Sequence, residues 1–383
     1  MRLAAALLSV GIVGWTGTAR PTAANDKTDL RADIRTVAEQ GRGTDAGRKA
    51  WERISAGGAE LVIPILEAMD TPDTVAANWL RTALDRIVER DGKKLDVDRL
   101  LDFVKDAKRQ GRARRLALDL IEERRPGTSA KLYTGWLEDP EFRVEAVGLA
   151  LDRAGKLLKA GDKKAAADAY RQAFAAARDQ TQCRKAAAGL LELGTKVSVG
   201  RHMGVLMDWY LIGPFDGGGM KGFHLSYPPE KQIDLKAEYD GQGKKVRWLR
   251  YQAQEPPPSS GARHQALVNI RERDAIGDAD DAVAFAYTEF TVPKAQEVEF
   301  RGAADDNFTV WVNGKRAFGF EEYRNGVRLD RHRFKVKLNA GKNTVLVKVC
   351  QTPAPNTEPN WEFFLRIVDA TEKGIAMECT LPK

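Results

Sequence analysis

Near residue 200 the spacing of apolar side chains changes, and with it the kind of structure the chain can form. Before that point apolar residues recur every three to four positions: Val75, Trp79, Leu80, Ala83, Leu84, Ile87 and Val88 make one stripe, Val97, Leu100, Leu101 and Val104 a second, Leu116, Leu120 and Ile121 a third. After Gly200 the period is two, as in Phe334, Val336, Leu338 and again Val345, Val347, Val349. A helix period cannot sit on a strand, so the chain reads as a helical half followed by a strand half.

Start signals fit the helical half. Thr71-Pro72-Asp73 and Asp139-Pro140-Glu141 each offer a capping side chain, a proline for the first helical position and an acid in the first turn. Helices joined by very short turns predict an α-solenoid, in which each helix pair buries its apolar face on its neighbours and presents a face to a protein partner. In the second half, strand signals stand at "MDWYLIGPF", "KVRWLRY", "QALVNIRE", "AVAFAYTEFTV", "QEVEFRG", "FTVWVNG", "HRFKVKL", "NTVLVKV" and "WEFFLRIVD". With turns and no helical stretch between them, they predict an antiparallel β-sandwich of jelly-roll type. The expected organisation is a leader over 1–24, helical repeats over 25–199, a β-rich lead-in with a proline-rich linker over 200–262, and the sandwich over 263–383. "QEPPPSSGAR" (254–263) is too rich in proline for helix or strand.

The leader expectation rests on Arg2, an uncharged run from Leu3 to Trp15 and small residues through Ala24, the parts of a secretory signal peptide. The run is too short to span a bilayer, and no later stretch is long and apolar enough to do so. Export to the periplasm or beyond follows, and the absence of a cysteine after the run argues against a lipid anchor. The net charge of +7 falls to +5 without Arg2 and Arg20. The basic run "KRQGRARR" is flanked by Asp102, Asp106 and Asp119, which describes a solvated helix face and not a nucleic-acid footprint. Of the three cysteines, Cys183 sits in an Ala/Leu-rich helix, and Cys350 and Cys379 share the C-terminal domain, where a bridge between them stays open.

"AADDNFTVWVNGKR" (303–316) carries the densest information. Asn313-Gly314 supplies the positive φ angles of a two-residue type I′ hairpin turn. Asp305-Asp306-Asn307 has two readings: an acidic turn that caps its own backbone, or a set of hard oxygen ligands suited to calcium. Two adjacent like charges repel, so an Arg, water or a cation should compensate them. "GDADDA" (277–282) lacks the spacing of an EF-hand and reads as a loop.

The residues "GGAELVIPILEAMDTPDTVAANWLRTALDRIVER" resemble a HEAT-like repeat, and "LLKAGDKKAAADAYRQAFAAA" is similar to part of a tetratricopeptide repeat. From Ala282 to Ile367, "AYTEFTV", "DDNFTVWVNGK", Arg324, "LNAGKNTVLVKV" and "WEFFLRI" resemble the galactose-binding-domain-like jelly roll of glycoside-hydrolase accessory domains. "DWYLIGPF" followed by "YPPE" is similar to the lead-in of exported bacterial proteins that join such a domain to helical repeats. The resemblance implies sugar binding at loop tips and a structural calcium. On that footing the candidate ligand-binding residues are Trp311, Asn313, Tyr323 and Arg324, and the candidate calcium ligands are Asp305, Asp306 and Asn307. Arg324 has a second reading as an ion-pair partner of the two acids, and Trp311 as a core residue.

Catalytic motifs fail their context. "GGGMKG" (217–222) fits a dinucleotide-binding pattern, but "FHLSYPPE" follows where a helix is needed. No P-loop, GxSxG or HExxH occurs, and His202, His224, His264 and His332 have no partner at ligand spacing. Asp305 and Asp306 on a regular strand would point to opposite faces, which disfavours an acid and nucleophile pair. The expectation is an exported, non-enzymatic binding protein for a glycan or cell-surface component. A purely structural module binding only proteins, and a carbohydrate-active hydrolase, are the alternatives.

Overall fold

The structure, a computed structural model, describes residues 27–260, 266–323, 326–352, 360–379 and 381. The expected leader and Arg324 lie outside the described residues. The chain divides into two compact units, one ending at Ser129 and one beginning at Ala130.

The first unit is helical: α1 (Lys27–Gln40), α2 (Asp45–Ala56), α3 (Val62–Ala68), α4 (Thr74–Asp91), α5 (Val97–Lys105) and α6 (Gly111–Arg124). The predicted stripes of α4, α5 and α6 are buried along their core-facing residues. In α4, Leu80, Ala83, Leu84 and Ile87 are fully buried, whereas Val75, in its first turn, is exposed. The cap of α4 is Asp73, whose Oδ1 accepts from the backbone N–H groups of Val75 and Ala76 at 2.8 and 3.2 Å. Thr71 is instead drawn to α1, donating its hydroxyl to the Ala38 carbonyl, so Pro72 precedes the cap. The buried Arg114 in α6 donates Nε to the Val104 carbonyl in the last turn of α5.

Short α7 (Thr128–Tyr133) crosses the division. The second unit continues with α8 (Arg143–Lys159), α9 (Lys163–Ala176), α10 (Gln180–Glu192) and α11 (Val199–His202). Gly161 turns the chain at φ +83° and Asp162 caps α9 through the Ala165 N–H. Helix stops and strand starts meet where the periodicity changes, between His202 and Asp208. The strands are β1 (Asp208–Asp216), β2 (Glu238–Asp240), β3 (Lys245–Arg247), β4 (Leu249–Gln252), β5 (Val268–Asn269), β6 (Ala282–Val292), β7 (Gln296–Asp305), β8 (Asn307–Val312), β9 (Lys315–Phe320), β10 (His332–Leu338), β11 (Gly341–Gln351), β12 (Glu362–Val368) and β13 (Glu378–Cys379), with α12 (Pro228–Lys231) after β1.

Among the described residues three antiparallel sheets result: one ordered β4-β1-β6-β11-β8-β9 with β13 on β6, a second ordered β10-β7-β12-β5, and a small one of β2 with β3. The pairing is nested: β5 with β12, β6 with β11, β7 with β10 and β8 with β9. Phe334 and Val336 of β10 and Val345, Val347 and Val349 of β11 belong to different sheets yet pack in one core, so the connection at 339–340 carries the chain across the sandwich. Rings link the layers: Trp209 meets Phe363 edge-on at 5.1 Å, and Phe318 stacks on Phe334 at 4.8 Å. The helices of this unit join the same core, since Leu151, Tyr170, Ala186 and Leu190 are continuous with Trp209, Val268 and Phe363.

The proline-rich stretch is strapped down as far as it is described. Arg184 of α10 donates to the carbonyls of Pro257, Pro258 and Ser260, and Glu255 accepts from Ser198 and from the Gly200 N–H at the start of α11. The cysteines are free. Cys350 pairs with Val283 and Cys379 with Phe290, seven residues apart on β6. At ~3.3 Å per residue they are separated by roughly 23 Å, which rules out the bridge left open by the sequence.

Candidate functional site

Strand register brings one set of strand ends together. β7 ends at Asp305 and β8 begins at Asn307; Asp305 faces Glu362 at the start of β12, Asn307 faces Cys350 near the end of β11, and Phe308 faces Phe320 at the end of β9. The connection between β7 and β8 is therefore a single residue, Asp306.

The Asp305–Asp306 peptide is cis, and the two carboxyls are hydrogen-bonded to each other. This corrects the expectation of opposite faces, which assumed a regular extended strand. Both side chains are buried, at 4 % and 3 % exposure. Burial, then the contact with Asp306, pushes the Asp305 carboxyl up to about 8, with the Glu362 charge acting in the same direction. Burial raises Glu362 as well. Asp306 Oδ2 accepts from the Thr352 N–H at 3.0 Å. Burial and the neighbouring charges therefore favour the protonated form of Asp305, which eases the expected repulsion.

Asn307 is fully buried. Its Oδ1 accepts from the Glu322 N–H. Tyr323 lies close by: burial raises its phenol, and the Asn307 amide works against that shift. The oxygens that a cation would use here are those of Asp305, Asp306 and Asn307. Asn307 Oδ1 and Asp306 Oδ2 already accept backbone N–H groups, and among the described residues no group of three or more His, Cys, Asp or Glu is arranged around a metal position.

Around this polar floor is a rim the sequence reading missed. Met220, Leu225 and Phe320 are exposed apolar residues, in two segments tied together by the Tyr323 hydroxyl donating to the Met220 carbonyl at 2.7 Å and by His224 Nε2 against Glu321 at 3.0 Å. The Phe320 ring lies 4.3 Å from His332, with the Arg331 guanidinium 5.8 Å away and paired to Glu322. In the sequence, Phe320 alternates with Phe318 and looks like core. Only its position as the last residue of β9, before Glu321-Glu322, signals exposure.

The other two candidates are elsewhere. Trp311 is half-buried on the outer face of its sheet, packed on the cluster of Tyr210, Ile212, Phe215 and Phe285. Asn313 is at the opposite end of β8, where it and Gly314 take φ of 51° and 75° as the hairpin requires, and its amide bonds the Thr344 N–H and Asn343. Asp305, Asp306, Asn307 and Tyr323 are brought together; Trp311 and Asn313 are not.

No family model matches the chain, and no curated protein matches it. Among solved structures it is similar to a GH31 alpha-xylosidase from Xanthomonas citri at 15 % identity and a TM-score of 0.21, over 43 % of this chain. The match takes in 16 % of the xylosidase, and a likeness of that size carries no argument about fold or activity.

Proposed function

We propose that this chain is an exported, non-enzymatic binding protein whose sheet-end site takes a carbohydrate or another cell-surface component. The observation that carries the reading is the convergence at one end of the sandwich of exposed Phe320, Met220 and Leu225 with Tyr323 and the buried Asn307 amide. Apolar surface beside a few fixed polar groups is the general recipe of small-ligand sites. A pyranose has the matching chemistry, one apolar face and a ring of hydroxyls.

The architecture we read behind it is a jelly roll of the galactose-binding-like kind preceded by helical repeats of HEAT and tetratricopeptide type. Support for the first is the nested pairing of β5 to β12, the order expected when eight strands fold double. Support for the second is the succession of short-turned helices. Calcium enters as part of the proposal, held by the oxygens of Asp305, Asp306 and Asn307.

A purely structural module is the second reading, favoured by the deep burial of both acids. Glycan-array binding with and without EDTA separates the two. Binding that weakens in Phe320→Ala and Tyr323→Phe supports the site, and its loss in EDTA and in Asp306→Ala supports the cation. A folded protein that binds no glycan sinks the carbohydrate reading.

A further inference from the structure

In the first helical unit, the indole of Trp51 on α2 is buried at 3 % exposure, its N–H donating to the Trp79 carbonyl and to Thr82 Oγ1, both at 3.0 Å. The Trp79 ring on α4 stands edge-on to it at 6.2 Å and lies beside Gly41, which follows α1 at a φ of +61°. Two guanidiniums rest on this pair. Arg42 lies 4.4 Å from the Trp51 ring centre and 5.0 Å from that of Trp79, and Arg86 of α4 lies 4.5 Å from Trp51. Both cations are therefore within about 9 Å of each other, in cation–π range of one ring.

Their neighbours are neutralised and they are not. Arg48 pairs with Asp45 and Glu52, Arg53 with Asp33, and Arg90 with Asp91, whereas among the described residues neither Arg42 nor Arg86 has a carboxylate partner. A guanidinium held by its face keeps its N–H edges free, and those edges fit an oxyanion bidentately. Arg86 also lines an open cleft of about 600 Å³ with Glu52, Glu89 and Arg90. The two glutamates beside Arg86 repel a phosphate dianion more than a single carboxylate, and the half-buried Trp79 offers apolar contact next to Arg42.

We infer that Arg42 and Arg86 form a carboxylate-binding patch for an acidic segment of a protein partner, with Asp or Glu side chains on the free guanidinium edges and an adjacent apolar residue on Trp79. The inference stands independently of the sheet-end site. Its test uses the full chain and a fluorescein-labelled peptide of alternating Glu and Leu, with the Gln/Leu peptide as control, followed by anisotropy. The expected result is binding of the Glu peptide at least ~10-fold tighter than the control, with a similar loss in Arg42→Gln and in Arg86→Gln while thermal melting stays cooperative. Arg→Lys at each position, which keeps the charge and the stem, serves if a Gln variant unfolds, and weakens binding because the planar fork is gone. No binding of the Glu peptide, equal binding by the variants, or competition by inorganic phosphate at concentrations comparable to the peptide's would each overturn it.

Discussion

Lys348 and Glu230 form an ion pair of 2.8 Å in which the lysine is 2 % exposed, and the same ammonium donates to the carbonyls of Phe223 and Leu225. The lysine stands on β11 and its partners on the segment that carries the rim residues Met220 and Leu225. Removing one partner leaves an uncompensated buried charge, at a cost of about 3–5 kcal/mol. Glu230→Gln should therefore lower the denaturation midpoint sharply, and Lys348→Met combined with Glu230→Leu should recover most of the loss. A Glu230→Gln protein with an unchanged midpoint would refute this account of the pair.

Gly189 on α10 lies against the ring of Tyr170 on α9, where an added Cβ would come within 2.4 Å of Cζ. Gly189→Ala should cost ~1–3 kcal/mol by overpacking. Adding Tyr170→Leu should restore part of it, as a calorimetric melting shift would reveal. An alanine that raised the melting temperature through helix propensity alone would contradict the contact.

Burial pushes the Cys183 and Cys350 thiols up to about 12 and the Cys379 thiol to about 11. Iodoacetamide at pH 8 should label the native protein slowly and the denatured protein at all three cysteines, because the thiolate is the reactive form. Rapid native labelling, read by mass spectrometry, would count against the packing described.

The raised Asp305 carboxyl has a signed consequence. Its folded value of about 8 exceeds the ordinary value of 3.8, so between those limits the folded state binds more protons and stability falls as pH rises. The contribution is fully present below pH ~4 and lost as pH passes through 8. Asp305→Asn should flatten that slope in urea unfolding run from pH 4 to 9; an identical slope in both proteins would exclude Asp305 as the titrating group.

Helices before residue 200 and strands after it were legible because each period must match the face it buries. The Asn313-Gly314 turn was legible for the same local reason. What escaped were features set by pairing over distance. The spacing of Phe318 and Phe320 says nothing of the strand end that exposes one and stacks the other on Phe334. Asp305 and Asp306 were singled out, but the raised Asp305 carboxyl depends on the depth of burial and on Glu362, more than fifty residues away in the chain. The helices Arg143–Lys159 and Gln180–Glu192 read as part of the helical half, and their packing against strands was invisible to periodicity, which records that a face is buried and not by what.

The nesting of the strands also orders events during synthesis. Val268 waits for Phe363, and Val283 for Cys350, so the outermost partners in this arrangement leave the ribosome last. Until β12 has been made, β5 and one side of β7 have nothing to bond with, and a chain truncated before Glu362 would expose both the core rings and open backbone edges to its neighbours.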